Sequence, residues 1–156
     1  MSDSAGFGGI GTFPQWLQVD FGQVRLIHEI DVFTVQDNYP NPSPPTQDLT
    51  FSLYGLQGFE VQYWNGSSWV TITGGNVTGN NKVWKQFGFP PISTSKIRVL
   101  TNASPDSYSR VTEIEAWSNS VSPPAINVAL PANGGAASAS STFSNNYPAA
   151  NAINGE

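Results

Sequence analysis

Cysteine is absent from the 156 residues, which removes thiol nucleophiles, thiolate zinc sites and disulfide frameworks together. Charge is scarce as well: Asp, Glu, Lys and Arg make up 11% of the chain, under half of the roughly 25% in an average domain. The six basic residues are too few and too scattered to form a phosphate-binding patch. With a net charge of −5 they argue against nucleic acid or an anionic membrane as partner. No apolar run approaches the roughly 20 residues that span a bilayer, and no charged-then-apolar leader opens the chain. There is one histidine, His28, in a strand-like run beside Glu29 and Asp31. General acid–base chemistry needs a base held against a reacting group, and nothing near His28 suggests one. The chain therefore reads as non-enzymatic, and no helical stripe of useful length appears.

Gly, Pro, Ser, Thr and Asn fill the space left by charge, together with five Trp, five Tyr and nine Phe. That mixture suits short strands joined by many turns. A chain of this length makes one domain, and burying about 68–70% of its unfolded surface lets it fold without a metal or disulfide. Alternation predicts strands in "WLQVDFG" and "RLIHEIDVFTVQ". In the latter, Leu26, His28, Ile30 and Val32 share one face and Ile27, Glu29, Asp31 and Phe33 the other. In "FEVQYWNGSSWVTI", the "NGSS" between aromatic runs predicts a hairpin. "GGNVTGNN" reads as a loop, "KVWKQFGF" as a strand, "PPISTS" as a turn, and "KIRVLT" and "RVTEIEAW" as strands. The fold class is all-β, an antiparallel β-sandwich or jelly roll. Strand parity then gathers the loops at 36–50, 73–82 and 102–109 at one end, unless "TFSLYGLQG" hides an extra strand.

The stretches "WLQVDFGQVRLIHEIDVFTVQDNY", "FEVQYWNGSSWVTITGGNVTGNNKVWKQFGF" and "KIRVLTNASPDSYSRVTEIEAW" cover residues 16–117. They resemble the bacterial branch of the factor 5/8 type C (discoidin-like) domain, which shares a galactose-binding-like jelly roll with the family 32 carbohydrate-binding modules. The family's opening strand and long loop stand ahead of "WLQVDF"; here "INVALPANGGAASASSTFSNNYPAANAINGE" resembles that opening segment but stands at the other end. The pieces of one domain are present in rotated order, as in a circular permutant. Residues 16–117 form the main body, 118–125 join the former termini, and 126–156 supply the displaced strand and loop. The divided loop is shorter than the family's and lacks its internal Trp.

Eight linker residues reach about 26–29 Å when extended, enough for the tail to fold back on its own chain. A boundary set out of phase in a tandem array would give the same sequence. Because Pro123 and Pro124 stiffen the linker, residues 126–156 are alternatively donated to a neighbour, giving a structural subunit that self-assembles by strand exchange.

The resemblance implies an extracellular or cell-surface module for binding or adhesion, with carbohydrate as its partner. A sugar site needs an aromatic face and a few planar polar groups. The gathered loops offer Gln36, Asp37, Asn38, Tyr39, Asn80, Asn81, Tyr108 and Arg110. Tyr39 and Tyr108 are the expected platforms, and Asp37 and Arg110 the hydroxyl anchors. The same polar residues also serve as turn caps, and Arg110 as an ion-pair partner of Asp37 or Asp106. The resemblance further implies a structural Ca²⁺ between the family's "A-x-D-G-D/E" loop and a glutamate of the last strand. The matching positions are Ala152 through its carbonyl, Asn154 through its side chain and Glu113 through its carboxylate. Asn154 stands where many relatives carry Asp, which removes a charge and weakens the ion's hold. Otherwise these residues form an Asn-Gly turn beside a solvated Glu113.

Overall fold

The computed structural model describes residues 12–118 and 125–155. The glycine-rich lead, residues 119–124 of the expected linker and Glu156 lie outside them. The strands are β1 (Gln15–Thr34), β2 (Gly58–Trp64), β3 (Trp69–Val77), β4 (Trp84–Ala103), β5 (Val111–Ser118), β6 (Ile126–Asn127) and β7 (Ala136–Ala139). Two short 3-10 turns, Pro131–Asn133 and Ala149–Ile153, complete the list. All pairings are antiparallel, in the order β3-β2-β4-β1-β5-β6, with β7 against β1.

β1 and β4 run side by side as one long ribbon that bends, and the bend makes the sandwich. Their register breaks between Asp20 and Arg25, where Gly22 takes φ 72° and donates its N–H to Asp20 Oδ1 at 2.9 Å. Before the bend, Gln15–Asp20 pairs with the second half of β4 and with β7, in the layer that holds β2 and β3. After it, Arg25–Thr34 pairs with the first half of β4 and with β5. Leu17, Val19 and Phe21 from the first layer meet Ile30, Val32, Ile114 and Ala116 from the second in one buried cluster. The fold is thus the all-β sandwich that alternation predicts.

Three details differ from the sequence reading. "PPISTS" is extended backbone inside β4, because the ribbon folds from one layer to the other there without a break in the strand. "GGNV" belongs to β3, which absorbs Gly74 and Gly75 where its register against β2 shifts between Glu60 and Gln62. A second shift, between Ile27 and Glu29, puts His28 at an irregularity. Ile27 and Ile30 are therefore both core residues, while Leu26 is exposed. A strict two-residue period cannot anticipate such an insertion.

"TFSLYGLQG" adds no strand beyond an isolated bridge from Thr50 to Lys82. The loops 35–57, 78–83 and 104–110 therefore meet at one end, as parity predicts. Thr34 ties them: its Oγ1 donates to the Arg110 carbonyl at 2.7 Å and accepts from the Leu56 N–H at 2.9 Å.

The C-terminal segment packs on the strands of its own chain. β6 pairs with the end of β5, and β7 pairs with Leu17–Asp20 of β1. Val128, Ala129, Ala152 and Ile153 enter the core, each fully buried Val or Ile stabilising the docked state by about 1.5–3 kcal/mol. Asn127 Oδ1 accepts the N–H of Ala116 at 3.0 Å and of Ala129 at 3.1 Å, and Arg25 reaches the Asn133 carbonyl at 2.8 Å.

Candidate functional site

A cleft of about 980 Å³ opens at the loop end and continues down the outer face of the second layer. Its floor is strand: Phe33 and Thr34 end β1, and Thr112, Glu113 and Glu115 come from β5. One wall is the proline-rich loop, through Tyr39, Pro42, Pro44 and Tyr54. That loop is held along the sheet by Gln47, whose amide donates to Gln86 Oε1 at 3.0 Å. The other wall is the C-terminal segment, through Phe143, Tyr147 and Gly155.

Arg110 stands at the mouth, with its guanidinium 4.8 Å from the Tyr108 ring centre and 5.5 Å from that of Tyr54. It pairs with Asp106 and donates to the Tyr54 carbonyl at 3.4 Å. Ser107, at φ 67°, turns the chain between Asp106 and Tyr108, a left-handed conformation that a non-glycine residue holds only at a cost of about 1–3 kcal/mol. The aromatic rings form two groups. Tyr39 meets Tyr54 edge-on at 5.7 Å; Tyr108, Phe143 and Tyr147 follow one another at 6.5 and 6.0 Å. Tyr39 and Phe143 are about 60% exposed, so their faces are open to a ligand.

Of the residues picked from the sequence, Gln36, Tyr39, Tyr108, Arg110 and Glu113 line the cleft. Gln36 spends both ends of its amide on Ser43. Asp37 lies outside the lining and accepts the N–H groups of Ser52 and Leu53 at 2.8 and 2.9 Å. Burial would raise its pKa, but these donors together hold it below the ordinary carboxylate value. Asn38 bonds the Asn41 carbonyl at 2.9 Å. Asn80 is buried and bonds the Leu56 and Lys82 carbonyls at 2.8 and 3.0 Å. The Asn81 carbonyl accepts from Phe51 at 2.9 Å. These four shape loops rather than wall the cleft.

Tyr54, Phe143 and Tyr147 escaped the sequence reading. Their signal was aromatic residues in turn-rich "FSLYG" and "TFSNNYP", where no strand could bury them.

At the foot of the tail wall, Glu113 is 5% exposed. Its Oε1 accepts the Gly155 N–H at 3.2 Å, while its Oε2 has no hydrogen-bond partner among the described residues. Burial pushes its carboxyl up to about 7, only partly opposed by that N–H. Asn154 stands next to Gly155, and Ala152 is buried in the preceding 3-10 turn, packed on β5. The residues fit a hard cation modestly: a carboxylate oxygen without a donor is what such an ion would satisfy, but Glu113 brings a single anionic group. Among the described residues, no three acidic or histidine side chains converge on one point.

Further along the same sheet face, Asp31 is 2% exposed. It accepts the indole N–H of Trp84 at 2.9 Å and of Trp117 at 3.0 Å. Phe33 stacks on Trp84 at 5.2 Å, and both tryptophans are consequently structural.

Residues 4–99 match the family model described as F5/F8 type C, NedA-like, galactose-binding domain. No curated protein matches the sequence. Similar solved structures include chitosan-binding module 1 of a chitosanase/glucanase from Paenibacillus sp. IK-5, at 16% identity and TM-score 0.50, covering 74% of this chain and 72% of that one. A carbohydrate-binding module of Clostridium perfringens, CBM32-5, solved with GalNAc-β-1,3-galactose, is 12% identical with TM-score 0.46, over 67% of this chain and 66% of its own. Its companion CBM32-6 is 15% identical with TM-score 0.48, over 70% and 73%. At 16% identity the likeness to the chitosan-binding module is one of fold.

Proposed function

This chain belongs to the F5/F8 type C family, in its NedA-like, galactose-binding branch, and from that membership we propose that it is a non-enzymatic carbohydrate-binding module acting outside the cell or at its surface. The observation that carries the reading is the cleft mouth, where Tyr54 and Tyr108 flank Arg110 and Tyr39 packs edge-on against Tyr54. Tyrosine faces take the C–H side of a sugar ring, and the guanidinium, oriented by Asp106, turns its remaining N–H groups to hydroxyls. Recognition is an equilibrium property of loops on a rigid sandwich. A glycan array followed by titration with galactose-type sugars tests it. Tyr39→Ala and Tyr108→Ala are each expected to weaken binding about tenfold, the scale of a lost aromatic anchor. A blank array would overturn the reading.

Calcium is the proposed partner of Glu113, with Asn154 and the Ala152 carbonyl completing an oxygen set. Bound there, the ion would supply fixed positive charge that clamps the tail to β5. Support comes from Glu113 Oε2, which has no hydrogen-bond partner among the described residues. The melting temperature should rise with added Ca²⁺ and lose that response in Glu113→Gln.

Residues 126–156 are proposed to be the family's opening segment in rotated position. The supporting observations are the antiparallel pairings of β6 with β5 and of β7 with β1.

A further inference from the structure

The cleft is larger than a pocket for one terminal sugar. Its volume of about 980 Å³ lies at the top of the roughly 300–1,000 Å³ range of small-molecule sites and is several times what one hexose fills. Its shape is a trough: strand residues Phe33 and Glu115 make the floor, the proline-rich loop one side and the C-terminal segment the other. From Tyr108 at the mouth, Phe143 and Tyr147 continue along that second side at centre spacings of 6.5 and 6.0 Å, the first pair edge-on and the second tilted, a spacing on the scale of successive rings in a β-linked sugar chain. Phe143 and Tyr147 are exposed, so burying them against a ligand is favourable and costs no existing core contact.

Charge narrows the occupant. Among the described residues the lining has a single cationic side chain, Arg110, and it is paired with Asp106. The acidic side chains of the lining are Glu113 and Glu115; Glu113 is buried, whereas Glu115 is partly exposed to the trough. A uronic acid would meet repulsion there, whereas a protonated amine would meet a carboxylate. With calcium on Glu113, Glu115 is the carboxylate left to the ligand.

We infer that the trough takes a run of several amine-bearing sugars, a glucosamine-type oligosaccharide, with Phe143 and Tyr147 of the C-terminal segment as its second stacking platform and Glu115 selecting the amine. The inference rests on the carbohydrate-binding reading and adds length and charge to it. It makes the docked tail half of the binding surface, so that ligand and tail stabilise one another.

The test is calorimetric titration of the full chain, at fixed calcium, with β-1,4-linked glucosamine tetrasaccharide, its N-acetylated counterpart, glucosamine and galactose. The tetrasaccharide should bind at least tenfold more tightly than the single sugar and several-fold more tightly than its N-acetylated form. Phe143→Ala and Tyr147→Ala should remove the gain with length, and Glu115→Gln the preference for the amine and its salt dependence. Melting curves of these variants check that they fold. Equal affinity for one and four units, or for amine and N-acetyl forms, would overturn the inference. If galactose still bound in that case, the carbohydrate-binding reading would stand alone; silence toward all four sugars would remove both.

Discussion

Glu113 carries the most consequential electrostatics of any single residue here. Its ordinary value is 4.5, and burial in the fold raises it to about 7. A carboxyl raised in the folded state favours folding while protonated, and that contribution is lost as pH climbs from the unfolded value through the folded one. In calcium-free buffer, stability should therefore fall between about pH 4.5 and 7, by about 3 kcal/mol at most. Asp31 and Glu115, raised chiefly by burial as well, slope the same way. Urea denaturation across that window measures the slope, and Glu113→Gln should flatten most of it. Added calcium, which favours the charged carboxylate, should stabilise more at pH 8 than at pH 5. Asp31 poses a different question, because two indole donors depend on it. Asp31→Ala leaves both unsatisfied and should cost about 2–4 kcal/mol in urea denaturation. The sequence displayed both carboxylates, but their burial and partners arise from strands far apart in the chain.

Among the elements, the β2–β3 hairpin was the most legible. Asn65 Oδ1 accepts the Ser67 and Ser68 N–H groups, both at 2.9 Å, and Gly66 takes φ 101°, so "NGSS" is a turn by its own chemistry. β1 and β4 were less legible, since a bend between layers reads in sequence like a turn between strands. The tail depends on one close approach: a Cβ on Gly135 would stand 1.8 Å from the Ala129 carbonyl oxygen. Gly135→Ala must therefore open the turn that leads into β7, and should cost about 3 kcal/mol, the upper range for overpacking. Thermal melting measures the loss. Hydrogen exchange should place it in residues 126–155, with "NGSS" unchanged.

For the whole molecule, closure in one chain and exchange between chains use the same contacts and differ in solution mass. Docking of β6 and β7 on β5 and β1 of the same chain leads us to expect a monomer near 16.7 kDa at all concentrations tested by light scattering. Oligomers that disappear on removal of residues 118–156 would instead reveal strand exchange. Such subunits would carry their trough wall on a neighbour, and sugar binding would then depend on protein concentration.

Local chemistry determined the class of this protein: alternation, turn residues and the lack of charge and cysteine leave little besides an all-β sandwich. Spacing and order also carried the gathering of three loops at one end, because strand parity needs no distances. The tertiary structure alone decided which loop residues face a ligand. Asp37 and Asn80 are polar residues of the same gathered loops as Gln36 and Arg110, yet neither Asp37 nor Asn80 lines the cleft. It also decided that Phe143 and Tyr147, more than thirty residues beyond Tyr108 in the chain, stand beside it. The reason is physical: the trough is made by docking the last segment on the first and fifth strands, and contacts between segments distant in sequence leave no periodic trace in either one.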